Sequence, residues 1–520
     1  MQELLRKIAI EIAQKAKSRE EAIEIKKKLA KELRMVSIPS NVELLKEARS
    51  TEYYEKLREL LRMKPTRSLS GIVVIAVMSS PAKCPHGKCV PCPGGVEFNS
   101  PQSYTGLEPA AMRGRQHGYD AFKQVTARLR ELSEIGHSVD KAEIIVMGGT
   151  FIARDREYRD RFILDIYNAL NCFDSKMREE RDLEKAKRKN EVAKVRCVGL
   201  TFETRPDYAK ESHILDMLRY GATRVELGVQ SIYDDVLVKI KRGHRVQDTI
   251  DATRLLKDSA FKVCYHLMPG LPGSSFEQDL RMFKEVFEND DFKPDYLKIY
   301  PTLVVKGTEL YEMWKRGEYK PYETEEVVEL IAKAKKFLPE WVRVQRIQRD
   351  IPVKAAIGLR YGNIRQLVHK KLRELGYGCR CIRCREVGHK GIREEEYKKA
   401  ELKILEYSAS GGKEFFISYE IPEHDAIVGF LRLRFPNKPF IKMLENCALI
   451  RELHVYGEAT PLGEVKAFQH RGFGEKLLRT AEEVAKEKFD KIAVISAVGV
   501  RNYYRRFGYR KSFEYMLKRL

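Results

Sequence analysis

The sequence predicts two α/β units in tandem behind a helical N-terminal segment: a parallel sheet bent into a partial (β/α) barrel, then a smaller mixed α/β domain. Two patterns carry that expectation. Between residues 71 and about 345, six apolar runs of strand length (71–78, 142–147, 196–202, 224–229, 262–268 and 296–300) are separated by helical stretches, the rhythm that crossover connections impose on parallel strands. From about 401, runs at 415–420, 426–434 and 448–455 follow one another without long helices between them, as consecutive antiparallel strands do. The expected division is a basic helical segment at 1–70, the barrel at 71–345, a linker at 346–400 and the second α/β domain at 401–520.

Composition narrows the class. Lys plus Arg number 97 against 75 Asp plus Glu, a net charge of +22, so polyanions, nucleic acid first, are attracted at long range. A hydrophobic fraction of 43% supports large cores and excludes global disorder. No apolar run reaches membrane-spanning length and the N-terminus mixes charge with apolar residues, so a cytoplasmic protein is expected. In that compartment ten cysteines read as ligands or buried thiols. Cys172, Cys197, Cys264 and Cys447 stand alone in apolar surroundings and are expected in the core; the other six form two tight clusters.

Residues 1–66 read as helices, with a break at Val36-Ser-Ile-Pro-Ser-Asn41 that offers Ser40 or Asn41 as a cap. Lys26, Lys27, Lys28 and the segment Lys64-Pro-Thr-Arg67 add positive charge that serves a solvated face or phosphate contacts equally well. The first predicted strand runs into Cys84-Pro-His-Gly-Lys-Cys89-Val-Pro-Cys92-Pro-Gly-Gly95. Loops leaving the carboxyl ends of parallel strands carry the active sites of α/β folds, and three close thiolates need a cation to offset their repulsion. Three ligands leave one coordination position open, which suits an iron-sulfur cluster with an external fourth ligand; a structural zinc closed by His86 is the alternative. Later strands end in Gly148-Gly-Thr150, Glu203-Thr-Arg-Pro-Asp207, Gln230-Ser231 and Pro269-Gly-Leu-Pro-Gly273, turns that an open barrel gathers around one mouth. Residues 176–195 form a charged insertion, expected as an exposed helix.

In the linker, Cys379, Cys381 and Cys384 fall within six residues. They read as a compact zinc site with His389 or His369 as local candidates for a further ligand, the alternative being reduced surface thiols. In the last domain Gln469-His-Arg471-Gly472-Phe-Gly474 precedes a helix starting near Glu475. Glycines there free backbone N–H groups, and the amino end of a helix suits a pyrophosphate. A final strand is expected at 491–496, followed by Val500-Arg-Asn-Tyr503-Tyr504 and Gly508-Tyr509.

The cysteine loop after the first strand, the Gly-Gly pair after the second and Glu203-Thr-Arg-Pro206 resemble the radical S-adenosylmethionine enzymes, whose usual Cys-x3-Cys-x2-Cys is here Cys-x4-Cys-x2-Cys. That resemblance implies a barrel of radical SAM type, a 4Fe-4S cluster on Cys84, Cys89 and Cys92, and S-adenosylmethionine near Gly148, Gly149 and Thr150, with Glu203, Arg205, Gln230 and Lys298 lining its site. The succession strand, glycine turn, helix, strand, Tyr504-x3-Gly508-Tyr509 is similar to GNAT acetyltransferase domains. It implies acetyl-CoA on Gln469, His470, Arg471, Gly472, Phe473 and Gly474, with Tyr503 and Tyr504 toward the CoA sulfur and Glu452 or His454 as candidate bases. With Ser103-Tyr-Thr-Gly106, Val146-Met-Gly-Gly-Thr-Phe151 and Gly499-Val-Arg-Asn-Tyr-Tyr504, the pairing resembles the family of Elongator catalytic subunits over nearly the whole chain.

The family resemblance implies an enzyme that builds a carboxymethyl-type group on C5 of the wobble uridine (U34) of tRNA from acetyl-CoA by a radical step. The base would be splayed from its anticodon loop, with phosphates held by the N-terminal segment, including Lys26, Lys27 and Lys28, and by Arg346, Arg349, Arg380, Arg383 and Arg385. Lys298, at a strand end beside Tyr300, is a further catalytic candidate. Elongator-like subunits or a second copy of the chain are left open as partners. A protein lysine acetyltransferase with a structural iron-sulfur domain is the competing function.

Overall fold

A computed structural model of the chain describes residues 2–63, 71–457 and 472–520. Among the described residues no helix is long and apolar enough to cross a membrane. The N-terminal segment is four helices, Gln2–Lys15, Arg19–Glu32, Asn41–Ala48 and Tyr54–Leu61, around a core of their own that includes Ile8, Ile12, Leu44, Leu57 and Leu61. Ser40, rather than Asn41, caps the third helix. Its hydroxyl accepts from the Glu43 amide while the Glu43 carboxylate accepts from the Ser40 amide, a reciprocal arrangement that satisfies two otherwise orphaned donors. Lys64-Pro-Thr-Arg67 lies outside the described residues.

The barrel is a seven-stranded sheet of β1 (Val73–Met78), β2 (Lys141–Met147), β3 (Arg196–Thr204), β4 (Arg224–Gln230), β5 (Lys262–Leu267), β6 (Tyr296–Ile299) and β8 (Arg343–Ile347), paired in that order and parallel throughout. The short β7 (Val304–Val305) and β9 (Ala356–Ile357) pair only with each other. The six expected strands are present; the seventh, β8, lies where the sequence suggested the start of a linker. Strand β4 shows how the barrel is built. Val225, Leu227 and Val229 pack into the apolar core, while Arg224, Glu226 and Gln230 alternate with them toward the interior, as the two-residue period of a strand requires. Similar alternation on β2, β5, β6 and β8 puts Glu143, Lys262, Lys298 and Gln345 on the lining of one interior cleft.

The second domain is a mixed sheet of β10 (Glu401–Ala409), β11 (Gly412–Ile421), β12 (Ala426–Phe435), β13 (Cys447–Val455), β14 (Lys491–Val494), β15 (Arg510–Ser512) and β16 (Tyr515–Arg519), ordered β10-β11-β12-β13-β14-β16-β15. The run at 491–496 is therefore not the last strand: β15 and β16 follow it, too short to show a period. Only the β13–β14 pair is parallel, and it covers just Cys447–Ile450 against Lys491–Val494. Among the described residues, strand β13 thus continues through Glu452 and His454 with no strand paired on its β14 side.

The two sheets share one core. Leu449, Ala493, Val498 and Tyr515 of the second domain belong to the same apolar cluster as the barrel strands. Gly499 makes this docking feasible, since a Cβ there would lie 2.6 Å from Arg196 Cβ and 2.8 Å from the Cys197 carbonyl oxygen. The charged insertion, expected to be exposed, is instead wedged into this seam. Lys187 of helix Leu183–Asn190 is fully buried and donates to Glu514 at 3.0 Å and to the Arg219 carbonyl at 2.7 Å.

Seven charged side chains, all at most 1% exposed, cross the same seam: Lys257, Asp258 and Asp295 from the barrel, and Glu414, Arg432, Arg434 and Arg451 from the second domain. Arg451 reaches Asp295 at 2.5 and 2.7 Å and Glu414 at 2.9 Å, while Arg434 joins Asp258 at 2.6 Å to Glu414 at 2.9 Å. Burial alone raises the pKa of Asp295, but Arg451, Lys257 and Arg432 together hold its carboxyl well below the ordinary 3.8. Its contribution to stability is therefore present above the unfolded value and is lost as the pH falls from 3.8 toward the folded one. Replacing Arg451 by Ala leaves two buried carboxylates short of a partner and is expected to cost about 3–5 kcal/mol. Denaturant unfolding of wild type and variant, repeated between neutral pH and pH ~3, checks both the loss and a flatter acid slope in the variant.

Candidate active site

The loop that leaves β1 is held before any ligand is considered. Gln102 accepts from the Cys84 amide at 2.7 Å and donates to the Gly87 carbonyl at 3.0 Å. The Val90 amide donates to the Ile240 carbonyl at 3.0 Å, tying the loop to the segment after β4. Cys89 and Cys92 are buried and Cys84 is partly so. Burial, with the neighbouring thiols adding to it, pushes Cys92 up to about 11; burial also raises Cys84. Holding Cys84 and Cys92 as thiolates therefore requires a strong compensating cation. Among the described residues, the groups whose ligand atoms gather within 4.8 Å are Cys379, Cys381 and Cys384, and Glu226, Cys264 and His266. The wider trio Cys84, Cys89 and Cys92 suits a multi-iron cluster better than a single ion.

A cavity opens over these thiols, lined by Cys84, Gly149, Thr150, Glu203, Arg205 and Gln230 among others. Gly148 and Gly149 have φ 123° and 78°, and a Cβ on Gly148 would fall 2.3 Å from Ser79 Oγ, so the turn that brings Thr150 Oγ1 to 3.9 Å from Cys84 Sγ needs glycine. Gln230 adopts φ 68° without being glycine, a strained conformation of the kind concentrated at functional sites. Arg205 Nη1 and Gln230 Oε1 are buried without hydrogen-bond partners among the described residues. One is a donor and the other an acceptor, as a ligand carrying both a carboxylate and an amine requires. The donor set and the glycine cradle thus fit an iron-sulfur cluster with an amino-acid-like ligand.

Behind the cavity lies a charged layer. Lys298 pairs with Glu226 and lies 3.5 Å from Glu203; His266 Nε2 is 2.8 Å from Glu226, and the Tyr104 hydroxyl donates to Glu203 at 2.6 Å. Burial raises Glu226, yet Lys298, His266 and Arg224 together outweigh it and hold the carboxyl ionised; burial lowers Lys298, and Glu226, Tyr300 and Glu203 together reverse that. Beyond this layer a cleft of about 660 Å³ runs between barrel and second domain, lined by Lys298, Tyr296, Glu452, His454, Ser496 and Tyr504 among others. Cavity and cleft share Ala110, Met147, Arg346 and Asp350 in their linings, so they meet. Glu452 is held by the Tyr296 hydroxyl across the seam and by Arg432 Nε at 2.9 Å. Burial lowers the pKa of His454, and its Nε2 has no hydrogen-bond partner among the described residues.

Family profiles match the chain in the order of these parts: the Elp3 N-terminal domain at 1–69, the radical SAM superfamily at 78–286, the radical SAM C-terminal domain at 294–374 and the acetyltransferase (GNAT) family at 382–509. The chain is 54% identical over 497 residues to the tRNA uridine(34) acetyltransferase of Methanocaldococcus jannaschii, covering 93% of this chain and 90% of that one. It is 46% identical over 488 residues to human Elongator complex protein 3, covering 90% and 88%. The solved structure of Methanocaldococcus infernus Elp3 with an N-terminal deletion matches with TM-score 0.77 at 48% identity, covering 87% of this chain and all of that one. The chain belongs to the Elongator complex protein 3 family.

As a member of that family the chain is an enzyme joining radical SAM and GNAT domains, and the radical SAM domain implies S-adenosylmethionine and a 4Fe-4S cluster. Gly148, Gly149, Thr150, Glu203, Arg205 and Gln230 lie close to the cysteine loop, whereas Lys298 lines the cleft on the far side of the charged layer. Gly472, Phe473 and Gly474 stand at the start of helix Phe473–Lys486; Gln469, His470 and Arg471 lie outside the described residues. A Cβ on Gly474 would lie 2.6 Å from the Tyr503 hydroxyl, and the Tyr503 and Tyr504 rings meet edge to face. Tyr504 faces the cleft with Glu452 and His454.

The phosphate contacts need correction. Arg385 is fully buried and pairs with Glu420, Asp425 and Glu340, so it cannot meet a polyanion. Lys26 is turned inward and donates to Asn41 Oδ1 at 2.6 Å, leaving Lys27 and Lys28 exposed. Arg380 is half exposed but paired with Glu340 and Asp425. Arg346, paired with Asp350, and Arg349, donating to the Ser103 carbonyl, line the cysteine-loop cavity, and Arg383 lines the cleft. Glu226, His266, Tyr296 and Gln102 were missed as site residues, although the alternation in Arg224-Val-Glu-Leu-Gly-Val-Gln230 points Glu226 inward. Replacing Gly148 by Ala forces a contact with Ser79 and an unfavourable φ, and is expected to cost about 1–3 kcal/mol. Thermal unfolding checks the cost, and calorimetric titration with S-adenosylmethionine checks the expected loss of binding.

Proposed function

We propose that the chain forms a carboxymethyl-type group on C5 of the wobble uridine of tRNA, taking the carbon from acetyl-CoA. The supporting observation is that the cysteine-loop cavity and the GNAT-side cleft meet across a fixed domain seam. The names of its relatives, one of them a tRNA uridine(34) acetyltransferase, favour the same substrate. C5 of uracil is too weak a nucleophile to attack an unactivated thioester. When bound, the cluster and S-adenosylmethionine would supply hydrogen-abstracting radical chemistry, the reactivity that an unactivated acetyl methyl group needs.

The chain's own residues do the rest. Cys84, Cys89 and Cys92 hold the cluster; Gly148, Gly149, Thr150, Glu203, Arg205 and Gln230 seat the cofactor. Gly472, Phe473 and Gly474 present helix-start amides to the acetyl-CoA pyrophosphate. Tyr503 and Tyr504 border the thioester end. His454, kept neutral by burial, accepts a proton at Nε2 when water cleaves the thioester, and Glu452, fixed by Tyr296 and Arg432, orients the groups around it. Lys298 holds positive charge between the two chambers. Arg346, Arg349 and Arg383 at the chamber walls, with the exposed Lys27 and Lys28, serve the anticodon-loop phosphates.

Anaerobic incubation of reconstituted enzyme with tRNA, acetyl-CoA, S-adenosylmethionine and reductant, followed by nucleoside mass analysis, is expected to give a modified wobble uridine. Acetyl transfer to a peptide instead, unaffected by Cys89→Ser, overturns this reading in favour of protein acetylation. Replacing His454 by Ala is expected to lower turnover by about 10²–10⁴-fold while leaving the cluster's spectrum intact.

Cys379, Cys381 and Cys384 are read as a zinc site. Their thiols cluster around the Lys335 ammonium, which lies 3.1 Å from Cys379 Sγ, and His369 lines the same hollow. Metal analysis is expected to find zinc beside the iron in wild type and only iron in Cys381→Ser.

A further inference from the structure

The charge around the cysteine loop is unevenly balanced. Two arginines approach it. Arg205 is cancelled: its Nε and Nη2 donate to the two carboxylate oxygens of Asp207 at 2.8 and 2.7 Å. Arg242 is not. It is 9% exposed, and its two hydrogen bonds among the described residues go from Nη1 to Cys89 Sγ at 3.7 Å and from Nη2 to the Gly228 carbonyl at 2.6 Å. Neither acceptor is a carboxylate.

The fold has made room for this guanidinium. A Cβ on Gly228 would lie 2.5 Å from Arg242 Nη2, so a side chain on that inward-facing position of β4 would displace it. Gly243, at φ 79°, would bring a Cβ to 2.8 Å from His86 Cβ, and the Val90 to Ile240 hydrogen bond clamps the same segment against the loop. His86 Nε2 lies 3.1 Å from Cys89 Sγ. Of the two arginines, Arg242 is thus the one that faces the thiols without a carboxylate partner among the described residues.

We propose that Arg242 sets the reduction potential of the cluster held by Cys84, Cys89 and Cys92. It is a positioning residue acting through Cys89, and the inference rests on the cluster assignment above. Taking up one electron makes the thiolate-ligated cluster more negative by one charge. A buried, unpaired guanidinium donating to a ligand sulfur stabilises that reduced form over the oxidised one, and so raises the potential. Without it, the cluster would require a stronger donor before the cofactor could be cleaved.

The test is a redox titration of the reconstituted full-length enzyme, monitored by electron paramagnetic resonance, without tRNA and both with and without S-adenosylmethionine. Iron and sulfide content are measured first: absence of a cluster in wild type would sink the assignment itself, a different failure from the one tested here. Arg242→Gln is expected to lower the potential by at least about 59 mV, a tenfold change in the one-electron equilibrium. Arg242→Lys keeps the charge and is expected to retain most of the wild-type value. Asp207→Asn frees the charge of Arg205 and is expected to move the potential upward, and it decides the matter if Arg242→Gln fails to assemble a cluster. An unchanged potential in Arg242→Gln, a downward or absent shift in Asp207→Asn, or a shift seen only with S-adenosylmethionine present overturns the proposal.

Discussion

Everything at the centre of this molecule depends on the pairing of Arg451 with Asp295 and Glu414. Two charges taken from water into a protein interior are tolerated only when geometry satisfies them, and losing one partner costs several kcal/mol. Seven such groups, four cationic and three anionic, interlock across the seam. The arrangement stabilises little relative to an apolar interface of the same size. It does penalise any other relative placement of the domains, because a shift of a few ångströms would strand several charges at once. The shared apolar cluster supplies the adhesion, and the ions supply the register.

That register gives an open barrel a wall. Seven parallel strands do not close on themselves here, since β1 and β8 are the edges of the sheet, and their interior positions carry Glu143, Arg224, Lys262 and Lys298. Polar side chains of this kind need either water or partners. The second domain presents Glu452, His454 and Tyr504 to that interior from the stretch of β13 and its surroundings that β14 leaves uncovered. One domain's unfinished sheet is completed by the other's frayed one, and the cleft is what remains between them.

Much of this was legible in the sequence, for identifiable reasons. Six barrel strands announced themselves because they are buried on at least one face and most end in a polar or glycine-rich turn, and the cysteine loop because three thiols in nine residues have few other uses. The seventh strand was missed because Arg343-Val-Gln-Arg-Ile347 spends its inward positions on charge and amide. The insertion at 176–195 was misread because the burial of Lys187 depends on Glu514, more than three hundred residues away. Arg385 was misassigned for the same reason: local sequence shows an arginine-rich loop, while only the fold brings Glu340, Glu420 and Asp425 around it. Pairwise long-range electrostatics has no period to read.

The four residues common to both chambers, Ala110, Met147, Arg346 and Asp350, have a consequence for timing. With the chambers fixed to one frame, neither can swing toward the other. Anything that passed between them would have to thread past an alanine, a methionine and an ion pair, reaching across without help from the domains. For a group carried on a long arm, reach and slack would then matter more than any opening and closing, as a shuttle depends on its thread and not on the loom.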